Sequence, residues 1–307
     1  MIFPKSLRKG DRIAIISPSS PVKEEFIDGA AYYLASEGYE PVVMPHAKGP
    51  ASGSYASDAD SRLEDLLSAW RDPSIRAILC SRGGYGAVHL LRRIDPEILR
   101  RDPKWLIGYS DISALHAMLL NAGIASIHSP MAKHLTEEGA KDYSTQALMS
   151  ILRGESPIEY SVKPHPYNIL GEGRGVLAGG NLAVLNGLFG TEYDILREGT
   201  ILFIEDISEA IYAVERMLYH ILLSGGFEKV NGIIVGRFTD YRADRNFERM
   251  EDMISDFIRR EGLAGIPVAF DFPVGHVKEN LPLVEGADAR LIVEETEVKL
   301  IMNFSEC

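Results

Sequence analysis

Ala77-Ile78-Leu79-Cys80 runs straight into Ser81-Arg82-Gly83-Gly84-Tyr85-Gly86, and the apolar pair Leu90-Leu91 follows. A short apolar run, a glycine turn and a helix-period segment make one strand–turn–helix unit. The unit recurs on both sides. Upstream, Arg12–Ser17 (RIAIIS) ends in the turn Pro18-Ser19-Ser20-Pro21, and Phe26, Ala30, Tyr33 and Leu34 then recur at helical spacing until Gly38. Tyr39–Met44 is a second strand, and Leu63, Leu66, Leu67 and Trp70 mark a helix ended before Pro73. Downstream, strand Trp105–Gly108 leads into a helix through Leu115, Leu119 and Leu120, and Ala125–His128 is a fifth strand. Strands alternating with helices predict an α/β fold built of parallel βαβ units. Such sheets bind ligands outside the carboxyl ends of their strands.

The pattern breaks between Ser156 and Gly180, where Pro157, Pro164, Pro166 and five glycines crowd together. This composition predicts a linker at 161–175, separating an N-terminal domain, 1–160, from a C-terminal domain, 176–307. The second domain resumes with strand Thr200–Ile204, helix Glu209–Leu223, strand Gly232–Arg237, helix Asn246–Arg260 and strand Pro267–Phe272. Arg290–Val293 and Glu297–Met302 read as a hairpin around Glu295-Thr296.

Composition bounds the function. The 307 residues are 46% hydrophobic and 25% charged, which is globular usage. With 32 basic against 44 acidic residues the net charge is −12, which argues against nucleic acid or an anionic membrane as the main partner. No apolar run reaches the length of a membrane span, and the N-terminus lacks a signal peptide's apolar region. Two cysteines, Cys80 and Cys307, make no disulfide framework. The expectation is a cytoplasmic protein.

Four features at strand ends carry chemistry. In Ile107-Gly108-Tyr109-Ser110-Asp111 a strand meets a helix at a serine, the mechanical logic of a nucleophile elbow, although Ile112 breaks the G-x-S-x-G pattern. Ser110 or Asp111 read blandly is a helix N-cap. The 81–86 turn supplies backbone N–H groups that can face an anion, or is an ordinary tight turn; it matches neither a nucleotide P-loop nor G-x-G-x-x-G. Phe203-Ile204-Glu205-Asp206 ends a strand in two carboxylates, which also suit a helix N-terminus. Pro273-Val274-Gly275-His276 places a histidine just past a strand, with His128 its main rival. No spacing fits a metal site, and Cys80 reads as a small buried hydrophobe. Nucleophile, anion-binding backbone, carboxylate and histidine are the parts for acyl transfer by serine.

The stretches Gly10–Ser20, Ser81–Ala87 and Ile107–His116, followed by Gly179-Gly180-Asn181-Leu182, Leu202–Asp206, Arg216-Met217-Leu218 and Gly275-His276, closely resemble the LD-carboxypeptidase family of serine peptidases. That family includes murein tetrapeptide carboxypeptidases and microcin C immunity hydrolases. The resemblance runs nearly the whole chain in the family's order. It implies a parallel-sheet, flavodoxin-like N-terminal domain, a smaller mixed α/β C-terminal domain, a site between them, and a homodimer. It implies Ser110 as nucleophile, His276 as base and Glu205 as the acidic triad member, with an oxyanion hole from the N–H groups of Asp111 and Gly84. Val277 after His276 departs from the family's usual glycine, which bears on substrate preference.

The resemblance implies hydrolysis, without cofactor or metal, of the amide joining an L-centre to a terminal D-alanine in murein tetrapeptides, in cell-wall recycling. Arg82 is the candidate cation for the substrate's terminal carboxylate. Two alternatives stay open: a microcin C-type peptidyl-nucleotide hydrolase, and a non-catalytic small-ligand binding module. The nucleotide reading wants an aromatic platform, and both tryptophans, Trp70 and Trp105, fall in a predicted helix and strand instead.

Overall fold

A computed structural model describes residues 1–139 and 142–305; Cys307 lies outside them. The strands are β1 (Arg12–Ile16), β2 (Glu40–Val43), β3 (Ile75–Cys80), β4 (Trp105–Gly108), β5 (Ser126–His128), β6 (Ile158–Val162) and β7 (Gly171–Asn181). Then come β8 (Thr200–Ile207), β9 (Val230–Thr239), β10 (Val268–Ala269), β11 (Leu283–Glu285), β12 (Asp288–Val293) and β13 (Val298–Asn303). The chain divides into two units. One comprises Met1–Ser156 and Lys278–Glu285 with Ser305, the other Pro157–Val277 and Gly286–Phe304.

The first unit is a six-stranded sheet in the order β11-β5-β4-β3-β1-β2. From β2 to β5 every pairing is parallel, and β11 closes the edge antiparallel to β5. The parallel order 2-1-3-4-5 is the flavodoxin-like one. Strands β1, β3 and β4 are buried almost throughout, as helices on both faces require. The helices start on residues suited to the task. Asp58 accepts from the Ser61 N–H, Asp95 from that of Glu97 ahead of Pro96, and Asp142 from that of Thr145.

The second unit is a mixed seven-stranded sheet, β10-β9-β8-β7-β12-β13-β6. Strands β7 to β10 run parallel, and the expected hairpin, β12–β13, extends the sheet antiparallel. Strand β8 is buried along all but its last residue and delivers Glu205 and Asp206 at its carboxyl end.

Four stretches differ from expectation. The 161–175 stretch, read as a linker, carries the end of β6 and the start of β7. Its glycines serve close packing rather than flexibility: a methyl group on Gly173 would lie 2.3 Å from the Asn231 carbonyl oxygen, and one on Gly175 1.5 Å from that of Gly199. The helix expected through Leu90-Leu91 is a pair of 3-10 turns, Ala87–His89 and Leu91–Arg93, because Asp95 already caps the next helix. The strand expected over Pro267–Phe272 is cut to β10, since Asp271 turns to a φ of +61°. The segment 278–285, assigned from sequence to the C-terminal domain, instead supplies β11 to the first sheet.

Candidate active site

Strand β4 is short and fully buried, so the chain must turn sharply to start the next helix at Ser113. Tyr109 is still extended, at φ −153°, and Ser110 takes the whole turn at φ +66°. A non-glycine residue in that region costs on the order of 1–3 kcal/mol, and such strain clusters at functional sites. Ser110 is neither the N-cap nor a regular helical residue, which sets aside the bland reading of this position.

The glycine turn after β3 packs directly on it. A methyl group on Gly83 would lie 2.7 Å from Ser110 Cβ, 2.9 Å from its Oγ and 3.1 Å from Asp111 N. Gly84, at φ +108°, faces Ser20 in the same way. The turn's own hydrogen bonds run to Ser20, whose N–H donates to the Gly83 carbonyl and whose Oγ accepts from the Tyr85 N–H. The Gly84 N–H between them takes part in neither bond. The Asp111 N–H belongs to the first helical turn, where N–H groups lack an intrahelical acceptor. Asp111 itself is buried, and its Oδ2 accepts from Ser19 Oγ (2.6 Å) and the Ala87 N–H (2.9 Å). One carboxylate thus ties together the loops after β1, β3 and β4. Sequence reading missed this; the serines of Pro18-Ser19-Ser20-Pro21, past a strand end, were the available signal.

Arg82 is exposed and donates from Nη1 to the Pro21 carbonyl. Arg62 is buried beneath the same turn and donates to the carbonyls of Ser57, Pro18 and Gly86. Cys80 is fully buried, and burial pushes its thiol well above the ordinary range, so it is no nucleophile.

In the second unit Glu205 Oε2 meets His276 Nδ1 at 2.7 Å. A carboxylate accepts, so Nδ1 carries the hydrogen and Nε2 is left basic. Glu205 is completely buried. Burial alone would lower the His276 pKa, but the hydrogen bond and charge of Glu205, with the charges of Asp206 and Asp240, raise it. Gly275, at φ +122°, lets the chain pass over the acid: a methyl group there would lie 2.9 Å from both Glu205 Cβ and Oε2. Asp206 has a different task. It accepts from Asn181 Nδ2, the Ala183 N–H and the Ile207 N–H, each at 2.8 Å. It therefore caps the helix Leu182–Asn186 rather than the helix that follows it in sequence. Burial and the neighbouring Glu205 charge push its carboxyl up to about 6. His128, the rival histidine, is buried within β5 with its ring 5.7 Å from that of Tyr109. Among the described residues no group of three His, Cys, Asp or Glu is arranged to hold a metal, and no helix is long and apolar enough to cross a membrane.

Each unit therefore holds part of the expected set: Ser110, Gly83, Gly84 and Asp111 together in one, Glu205 and His276 in the other. Comparisons with known proteins cover both halves of the chain. The model for the LD-carboxypeptidase N-terminal domain matches residues 13–129, and that for the LD-carboxypeptidase C-terminal domain matches residues 174–291. The probable murein peptide carboxypeptidase of Bacillus subtilis is 33% identical over 311 residues, spanning 99% of this chain and 95% of that one. Among solved structures, a muramoyltetrapeptide carboxypeptidase from Oxalobacter formigenes superposes with a TM-score of 0.85 at 27% identity, covering 96% of this chain and all of the other. An MccF-like protein from Bacillus anthracis does so with a TM-score of 0.86 at 27% identity, over 99% of each chain. The chain belongs to the LD-carboxypeptidase family of peptidases.

Proposed function

We propose that this carboxypeptidase hydrolyses the bond between an L-centre and the terminal D-alanine of a murein tetrapeptide through a Ser110–His276–Glu205 triad. The observation that carries the reading is Ser110 itself, a non-glycine residue held at φ +66° at the carboxyl end of a parallel strand, against Gly83. His276 Nε2 takes the Ser110 proton, and Oγ attacks the scissile carbonyl. The N–H groups of Gly84 and Asp111 hold the oxyanion, each worth about 3–4 kcal/mol in such sites. The imidazolium, stabilised by Glu205, protonates the departing D-alanine amine. Water then hydrolyses the acyl-enzyme by the same route. Arg82 receives the substrate's terminal carboxylate with the donors left beyond its bond to Pro21. The reaction serves cell-wall recycling in the cytoplasm, by a homodimer.

Incubation with a muropeptide tetrapeptide and mass spectrometry gives the test. Loss of one terminal alanine by the native chain, and none by Ser110→Ala, supports the reading; an intact tetrapeptide refutes it. The likeness to an MccF-like protein favours a second reading, a peptidyl-nucleotide amide as substrate. Against it, Trp70 and Trp105 are both buried, so neither offers a stacking surface to a base. An aminoacyl sulfamoyl nucleoside in the same assay separates the two.

A further inference from the structure

The strain at Ser110 must be held from both sides. On its C-terminal side the Asp111 carboxylate is fixed by Ser19 and Ala87. On its N-terminal side the anchor is the Gly108 carbonyl, which accepts two hydrogen bonds. One comes from the Ser129 N–H at 3.0 Å and the other from His116 Nε2 at 2.8 Å. His116 lies on the helix Ser113–Asn121 that Ser110 launches, and it reaches back to the strand before the turn. Its Nδ1 lies 2.8 Å from Ser126 Oγ on β5. A carbonyl can only accept, so Nε2 carries the hydrogen; Nδ1 is then an acceptor, and the Ser126 hydroxyl donates to it. The ring is completely buried, as are Ser126 and Ser129.

We infer that His116 is a positioning residue for the Ser110 nucleophile: its neutral imidazole, its tautomer set by Ser126, pins the peptide that leads into the turn. The role deepens the triad reading and rests on it. A neutral ring is what this site requires, because an imidazolium would bury an unpaired charge. Burial accordingly pushes the His116 pKa down to about 4, although the Gly108 carbonyl favours the protonated ring. The backbone at Gly108 is closely approached: a methyl group there would lie 3.0 Å from Ile112 Cγ1 and 3.1 Å from Cys80 Cβ.

The test is a set of full-length variants assayed on the murein tetrapeptide, with Ser110→Ala as control. Gln carries an N–H where His has Nε2; Asn and Ala do not reach Gly108. His116→Ala and His116→Asn are expected to lower kcat by about 10²-fold with KM nearly unchanged, the scale of a 1 Å misplacement. His116→Gln is expected to restore most of that loss. Nitrogen-15 NMR of the native chain is expected to show His116 as the Nε2–H tautomer. A folded His116→Ala enzyme with native kcat, a Gln variant no better than Ala, or the Nδ1–H tautomer each overturns the inference. If His116→Ala does not fold, the Gln variant against Asn decides. If Ser110→Ala is as active as the native chain, it is the triad reading that fails, and the tautomer still tests the His116 geometry.

Discussion

Glu205 and Asp206 are adjacent carboxylates with opposite assignments, and single-atom replacements separate them. In Glu205→Gln the amide no longer fixes the His276 tautomer, and kcat is expected to fall by about 10⁴-fold, the scale of acid-to-amide changes in serine triads. In Asp206→Asn one of three N–H donors would face an amide NH2, so stability is expected to fall by about 1–3 kcal/mol while kcat stays within about tenfold. The pH profile adds a sign. As the proposed base His276 acts neutral, so kcat/KM is expected to rise as the ring loses its proton. Its raised pKa puts that limb above 6.5, the ordinary histidine value. The Asp206 charge is one cause of the rise, so Asp206→Asn is expected to move the limb to lower pH. An unmoved limb contradicts the coupling. Ser110→Ala and His276→Ala are each expected to abolish most activity, and the double variant to be little worse, because triad members act as a unit. Near-additive losses in free energy would show that the two do not act together. The proposed triad residues stood out in sequence because each lies at or just past the end of an apolar run. The cap made by Asp206 did not, because Asn181 and Ala183 are brought to it only by the pairing of β7 with β8.

At the scale of elements, each part of the proposed site has a glycine over which a proposed catalytic side chain is packed. Gly83 lies against Ser110, and Gly275 lies against Glu205. Gly83→Ala is expected to fold, with kcat down by about 10²-fold or more, as for loss of an oxyanion donor, because the methyl would displace Ser110 or Asp111 N. Gly275→Ala adds a backbone penalty at φ +122° to the clash with the acid. It is expected to lower both kcat and the thermal midpoint, whereas Gly83→Ala, whose φ is not positive, lowers mainly kcat. Circular dichroism melts beside kcat check the contrast; a Gly83→Ala variant with native kcat rejects the close packing on Ser110. Parallel strands were legible because their apolar runs end in turn residues. The glycines of 171–180 misled because composition cannot distinguish a flexible tract from a strand whose backbone is approached within a methyl's width. Ser110 was found by its place at a strand end, while its left-handed φ follows from the burial of β4 on one side and the helix on the other.

For the molecule as a whole, the consequential feature is β11, a three-residue strand that leaves the second stretch of chain to complete the first sheet. It was not legible: Leu283-Val284-Glu285, between Pro282 and Gly286, is too short to show a period. Leu283 and Val284 are fully buried there, each worth about 1.5–3 kcal/mol. While the second unit is folded, the chain on either side of β11 is held. If that unit unfolds, more than a hundred residues become a loose loop closing the β5–β11 pair, at a cost of roughly 4 kcal/mol. The cost is close to what β11 contributes, so the first unit is expected to lose this strand when the second unfolds. Both tryptophans, Trp70 and Trp105, are buried in the first unit and report on it alone. Ile221→Ala removes a fully buried side chain from the second unit and should destabilise it by about 2–5 kcal/mol. The tryptophan-fluorescence midpoint is therefore expected to fall along with the far-ultraviolet circular dichroism midpoint, in one transition. If the fluorescence midpoint keeps its native value while circular dichroism shows an earlier step, the two units unfold independently, and β11 does not couple them.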